Sequence, residues 1–231
     1  MKRWKWWVLG AVAAVAIGVV GGPYVYIHFI EGPAPAPLTI STSTPSTDPS
    51  ASTAPTGSVD GTWNITQGSI VGYRVKEVLF GQSNTAVGRT SAITGTVEIT
   101  GTTVSSASFT VDMTTVSSDR SRRDGQFQGR IMDTASFPIA TFTLTQPIKL
   151  GTLPASGVRA TASAVGNLTM HGVTKSVTVT LVGARTGNTV QVSGSVAITF
   201  ADWNISNPSF PPTVTTEDHG TLEFLLNLTH V

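Results

Sequence analysis

The chain has 231 residues, 40% of them apolar and 12% charged, with a formal net charge of +1 and no cysteine. That composition supports one domain with a sizeable core plus an appendage. Without cysteine there is no disulfide framework, thiolate metal site or cysteine nucleophile.

Lys2, Arg3 and Lys5 precede an almost wholly apolar run over residues 6–30, broken near its far end by Pro23 and His28. A membrane-spanning helix needs about 20 apolar residues, whereas the apolar region of a cleaved signal peptide has about 7–15. The run is long enough for the first, and Ala34-Pro35-Ala36-Pro37 is a poor cleavage site. Residues 6–30 are therefore expected to form an uncleaved transmembrane anchor. The basic residues before it place 1–5 in the cytoplasm and the rest outside, as a single-pass cell-membrane protein. Trp4, Trp6 and Trp7 at one end and Tyr24, Tyr26 and Phe29 at the other suit two interfacial aromatic belts. Residues 31–59, rich in Pro, Ala, Ser and Thr, read as a solvated linker that carries no chemistry.

The remaining domain, 60–231, contains 11 of the 14 basic residues and 11 of the 13 acidic ones, the others being Lys2, Arg3, Lys5, Glu31 and Asp48. A neutral domain lacks the basic footprint of a nucleic-acid binder or of a polybasic headgroup surface.

Within it the pattern is nearly all strand. The chain-order candidates are Ile70–Phe80, Val97–Ile99, Phe109–Met113, Ala140–Ile148, Val158–Met170, Ser176–Ala184, Thr189–Trp203 and Thr221–His230. Asp119–Met132 is the one helical stretch, and Gly125 and Gly129 limit it to a short helix or helical turns. Between Met170 and Ser176, His171-Gly172-Val173-Thr174-Lys175 reads as the polar turn of a hairpin. About eight strands rich in Val and Thr predict an all-β fold, an antiparallel sandwich or barrel.

A barrel of that size is either filled by side chains or holds one small ligand. Its inward series is expected to include Phe109, Val111, Met113, Phe142, Leu144, Val196, Ile198, Phe200, Leu222, Phe224 and Leu226. A packed core is the commoner state of such a domain, and periodicity alone does not separate it from an apolar tunnel. Arg122, Arg123 and Arg130 with Asp119 and Asp124 form the dense charge cluster of the domain, suited to an anionic headgroup or to pairing and capping around the helical turn. His171, next to Gly172 and without a second histidine at ligand spacing, reads as a turn residue. Glu217-Asp218-His219 reads as a surface turn, since three adjacent residues converge poorly on one ion. No Gly-x-Ser-x-Gly elbow, Walker loop, His-Glu-x-x-His or dinucleotide fingerprint occurs, so a non-enzymatic role is expected.

Arg123-Asp124 with Phe127, then Phe137-Pro138 and Phe142, then Gly166-x-Leu168-Thr169-x-His171-Gly172-Val173-Thr174-Lys175 form an ordered set of motifs. With Trp63 before the first expected strand and Asp202-Trp203 late in the domain, this pattern resembles the YceI family of polyisoprenoid-binding, lipocalin-like proteins. The resemblance implies an eight-stranded antiparallel lipocalin-like β-barrel with a short helical segment and an apolar channel for a polyisoprenoid or isoprenoid quinone. It adds Phe127 and Ile131 to the expected channel lining and Arg122 and Arg123 to its mouth. Asp124, Phe137, Pro138, Leu168, His171, Gly172 and Thr174 become structural signature residues. No cofactor or metal is implied, and the expected partners are the isoprenoid lipid and, through the anchor, the membrane; a homodimer is compatible with the sequence. The competing expectation is an exported β-domain with a filled core, binding a protein or envelope polymer through its loops.

Overall fold

The computed structural model describes Gly22 and residues 33–40, 59–151, 153 and 155–231. The expected cytoplasmic segment 1–5 and, Gly22 apart, the expected anchor 6–30 lie outside these residues. Among the described residues no helix is long and apolar enough to cross a membrane.

The domain is built from β1 (Gly61–Ile65), β2 (Ile70–Leu79), β3 (Gln82–Thr90), β4 (Ile93–Thr100), β5 (Thr103–Asp112), β6 (Ser117–Ser118) and α1 (Ser121–Gln126), followed by β7 (Ile139–Leu144), β8 (Ile148–Lys149), β9 (Arg159–Met170), β10 (Val173–Thr186), β11 (Thr189–Thr199), β12 (Val214–Thr216) and β13 (His219–His230). Every pairing is antiparallel, and the order β1-β4-β5-β7-β9-β10-β11-β13 closes where β13 pairs back onto β1, making an eight-stranded barrel. β13 is long enough to serve two neighbours on that side: Leu228–His230 pairs with β1, and Thr221–Leu225 pairs with β2. β2 continues into β3 and the short β6, which brings α1 to one end of the barrel.

Alternation explains which face of each strand looks inward. Ala160, Ala162, Ala164, Gly166, Leu168 and Met170 share one face of β9, while Thr161, Ser163, Asn167 and Thr169 share the other. The β9–β10 reversal is tighter than its composition suggests. Met170 pairs with Val173, so the turn is only His171-Gly172, with φ of +49° and +74°. Two residues at positive φ match the twist of the flanking strands, as in a type I′ turn. Val173, Thr174 and Lys175, expected in the turn, instead open β10.

Other differences have similar local causes. Trp63 lies inside β1 rather than before the first strand, and it is the most deeply buried large side chain among the described residues. The strand ending in Ile198–Thr199 stops there, and Phe200–Trp203 forms a 3₁₀ turn. Ala140–Ile148 is two strands, β7 and β8. The helical stretch is α1 followed by a π-type turn over Phe127–Ile131. β3 was not expected, because Asn84, Ala86 and Gly88, facing Glu77, Val75 and Tyr73 of β2, present no large apolar side chain.

Residues 33–40 of the linker are not solvated tether. They form an extended strap on the outside of the barrel: Arg74 donates to the Pro35 carbonyl (2.6 Å), Arg89 to that of Ala36, and Arg159 to that of Ile40 (2.7 Å). The Leu38 amide donates to Glu223 (3.2 Å), and Ile40 is only 5% exposed. Eight extended residues reach about 27 Å. The five gaps from β3 to β9, at about 4.8 Å each, amount to about 24 Å. The strap therefore just crosses that wall. Glu223 beneath it is 4% exposed and pairs with Arg89 at 2.8 Å.

Gly172 gives a direct test of the hairpin. A Cβ there would lie 2.8 Å from the Phe137 ring at a φ that β-branched residues avoid. Gly172→Val is expected to cost about 1–3 kcal/mol, read in thermal denaturation as a Tm lower by roughly 3–10 °C; an unchanged Tm would contradict the turn geometry.

Candidate functional site: an apolar cavity inside the barrel

The barrel encloses a cavity of about 1640 Å³ that runs between its ends. This exceeds the roughly 300–1,000 Å³ of a pocket for a drug-sized ligand. Phe109, Val111, Met113, Phe127, Ile131, Phe142, Leu144, Val196, Ile198, Phe200, Leu222 and Phe224 all lie on its wall, together with Leu226. The interior is thus open, which differs from the filled core of the competing expectation.

Two features of the wall keep it open. The inward positions of β9 include alanines 160, 162 and 164, whose methyl groups leave the space beside them unoccupied. The larger aromatic rings lie against cross-strand glycines instead of pointing at the barrel axis. Phe109 faces Gly95, Tyr73 faces Gly88 and Phe224 faces Gly194 in register, and a Cβ on those glycines would stand 2.5, 2.3 and 2.6 Å from the respective rings. Phe142 covers Gly166 in the same way at 2.3 Å. An aromatic laid over a glycine shields that stretch of backbone and recovers packing the glycine cannot supply.

At the α1 end the cavity wall changes character. Arg120, Arg122, Arg123, Gln126 and Arg130 line it, with Phe80, Pro208 and Phe210. Arg123 is held by Asp119 and by Glu77 (3.2 Å). Asp124 accepts from the Ser118 amide (2.8 Å) and hydroxyl (2.6 Å), fastening α1 to β6. These contacts give the Arg-Asp motif an architectural position, with exposed Arg122 beside it on the rim. Arg130 donates to Gln126 (3.1 Å) and to the Pro208 carbonyl (3.0 Å), tying the π-type turn to the loop before β12.

The remaining signature residues knit the same end together. Phe137 packs edge-on against His171 at 4.8 Å, and the Pro138 carbonyl accepts from the Met113 amide at 2.8 Å. His171 Nδ1 lies 3.0 Å from the Trp203 carbonyl, and Lys175 reaches Asp202 at 2.5 Å with its ammonium 5.7 Å from the Trp203 ring centre. Thr174 shares a hydroxyl hydrogen bond with Thr169 (2.8 Å), and Leu168 lines the cavity. His219, the first residue of β13, contacts Glu217 (3.1 Å) and Asp218 (2.8 Å) of the turn that precedes it. Among the described residues no group of three or more His, Cys, Asp or Glu is placed to hold a metal ion.

Sequence reasoning missed Tyr73, Val75 and the alanines of β9. The alternation Ala-Thr-Ala-Ser-Ala was the available signal, but it marks a small-residue face rather than a conventional core. Tyr73 stacks on Phe127 with ring centres 5.1 Å apart and planes 10° apart. Burial pushes its phenol up to about 12, opposed by the nearby Arg123 guanidinium.

An acid whose folded pKa exceeds its unfolded value of 10 binds more protons when folded between the two. The stability this contributes is complete below pH 10 and is lost as the pH rises through about 12. Tyr73→Phe should flatten that segment of a Tm-against-pH curve relative to the parent protein; identical slopes would show that Tyr73 is not buried as described.

Comparison with known proteins agrees with this architecture. The YceI-like domain family matches residues 62–228. A polyisoprenoid binding domain from Saccharophagus degradans, implicated in plant cell wall breakdown, superimposes with a TM-score of 0.59 at 15% identity, covering 73% of this chain and 98% of that one. Burkholderia cenocepacia BcnA follows with a TM-score of 0.52 at 22% identity, covering 67% and 95%. No curated protein matches. With its closed barrel and a family match across nearly the whole β-domain, the chain belongs to the YceI-like domain family.

Proposed function

We propose that the domain is a non-catalytic carrier that holds the tail of a polyisoprenoid or isoprenoid quinone in its cavity, without a cofactor. In this reading it works outside the cytoplasm, anchored through residues 6–30. The observation that carries the proposal is the cavity of about 1640 Å³, whose wall is apolar along the barrel and carries charged residues at its ends, Arg120, Arg122, Arg123 and Arg130 beside α1 and Lys149 and Arg185 opposite. The similarity to a polyisoprenoid binding domain supports the same ligand class.

Magnitudes explain why such a site needs little else. Burial contributes about 0.8 kcal/mol per CH₂, or roughly 3–4 kcal/mol for each five-carbon isoprene unit before ordering costs. A charge contact at an exposed arginine contributes only about 0–1 kcal/mol. The tail would therefore set affinity, with Arg122 at the rim adding selectivity for the head.

Protein purified in detergent and then freed of it should yield a long-chain isoprenoid on solvent extraction and mass spectrometry. Repeated absence of any such lipid, with no uptake of added polyprenyl phosphate or quinone, would refute the carrier role. Ala162→Phe places a ring in the open part of the cavity. Displacing even one isoprene unit predicts more than about 100-fold weaker lipid binding, with Tm nearly unchanged; equal loss of both would mean that the site is packing core.

A further inference from the structure

Among the described residues the exposed aromatic side chains of this domain share one end of the barrel, whereas exposed Val158 and Val231 lie at the other. Phe80 is 52% exposed and Phe210 is 68% exposed, and both line the α1 end of the cavity. They occupy neighbouring loops, joined by hydrogen bonds from the Phe80 amide to the Thr213 carbonyl (2.9 Å) and from the Phe210 amide to the Val214 carbonyl (2.8 Å). Val78, at 42% exposure, extends this patch along the outer face of β2. An aromatic tip this exposed is costly in water and well suited to the interfacial region of a bilayer. Arg122 and Arg130 border it. The acids of the same rim are engaged within the protein: Asp119 and Glu77 with Arg123, Asp124 with Ser118.

The strap independently selects the same end. Pro33, where it begins, shares a small cleft with Asn84 and Thr85 beside the β2–β3 turn and with Asp119 and Arg123 at α1. From Ile30, the last residue of the apolar run, to Pro33 is three residues, a reach of at most about 11 Å. If residues 6–30 span the membrane, the strap hydrogen bonds to Arg74, Arg89 and Glu223 leave the α1 end no farther from the bilayer than that short leash allows.

We propose that the α1 end of the barrel is a membrane-docking surface: Phe80 and Phe210 enter the interface of the bilayer in which the chain is anchored, so that the cavity opens directly onto lipid. This rests on the carrier reading for its purpose and on the anchor for its geometry. A hydrophobic tail entering there would bypass bulk water, and the neutral domain would dock chiefly through its aromatic residues, with the arginines meeting phosphate groups.

The natural absence of cysteine permits single labels on the full chain. Phe210→Cys at the tip and Thr186→Cys, exposed at the far end of β10, would each carry a nitroxide, in vesicles of phosphatidylcholine with phosphatidylglycerol. The label at 210 should lose collisions with a water-soluble nickel complex and gain collisions with oxygen, while that at 186 remains nickel-accessible. Adding Phe80→Asp, tolerated at an exposed positive-φ position, should return the label at 210 towards water. Equal nickel access at 210 and 186 would overturn the proposal, as would dipolar broadening between labels at 210, which would show the tip covered by a second copy. Because the protein can be stripped of extractable lipid first, docking without bound isoprenoid would separate failure of the carrier reading from failure of this one.

Discussion

A closed barrel of eight strands ordinarily fills itself with side chains, and the constraint on which this structure depends is that its wall does not. The inward alanines of β9 contribute almost no volume, and Tyr73, Phe109, Phe142 and Phe224 spend theirs covering glycines on neighbouring strands. Aromatic mass is thereby placed tangentially. The protein retains the burial that large rings provide while leaving the axis free. Changing a covered glycine would therefore alter both wall packing and the space in the lumen.

The polar end balances this hollow interior. α1 and the π-type turn are poor in buried side chains of their own, Phe127 being the buried one, and are held largely by hydrogen bonds and ion pairs. Such a region opens at lower cost than the strand ladder. The β9–β10 turn, the Phe200–Trp203 turn and the Phe137-Pro138 corner support it through His171, Lys175 and the Met113 amide. Most of the motif residues, Trp63 apart, consequently cluster at the α1 end of the cavity, whereas the wall behind it is built from ordinary apolar residues.

How much of this was readable follows from residue size and contact range. β5, β11 and β13 carry large apolar residues at period two, so their inward faces could be read directly. β3 could not, because its inward positions are small or polar and its partners supply the rings. Whether the interior was open was equally hidden, since period-two alternation gives direction but not the filling of space across strands. The strap was misread for another reason. Pro and Ala offer no local signal of docking, and the Leu38–Glu223 contact joins residues 185 apart. The turn at His171-Gly172 was visible as a reversal, but its shortness depended on the register of Met170 with Val173.

Barrel closure by β13 also has a temporal consequence. Contacts such as Ser69 with Asn227 span 158 residues, and neither the β1 seam nor the β2 pairing can form before β13 is available. Ribosomes add roughly 5–20 residues per second, so the earlier strands exist for several seconds before the last one can seal them. Throughout that interval there is no lumen, only an apolar sheet face with an open edge. Such non-local closure is intrinsically slow. For this fold, the hollow that would receive a lipid and the surface most in need of protection during synthesis are the same residues at different times.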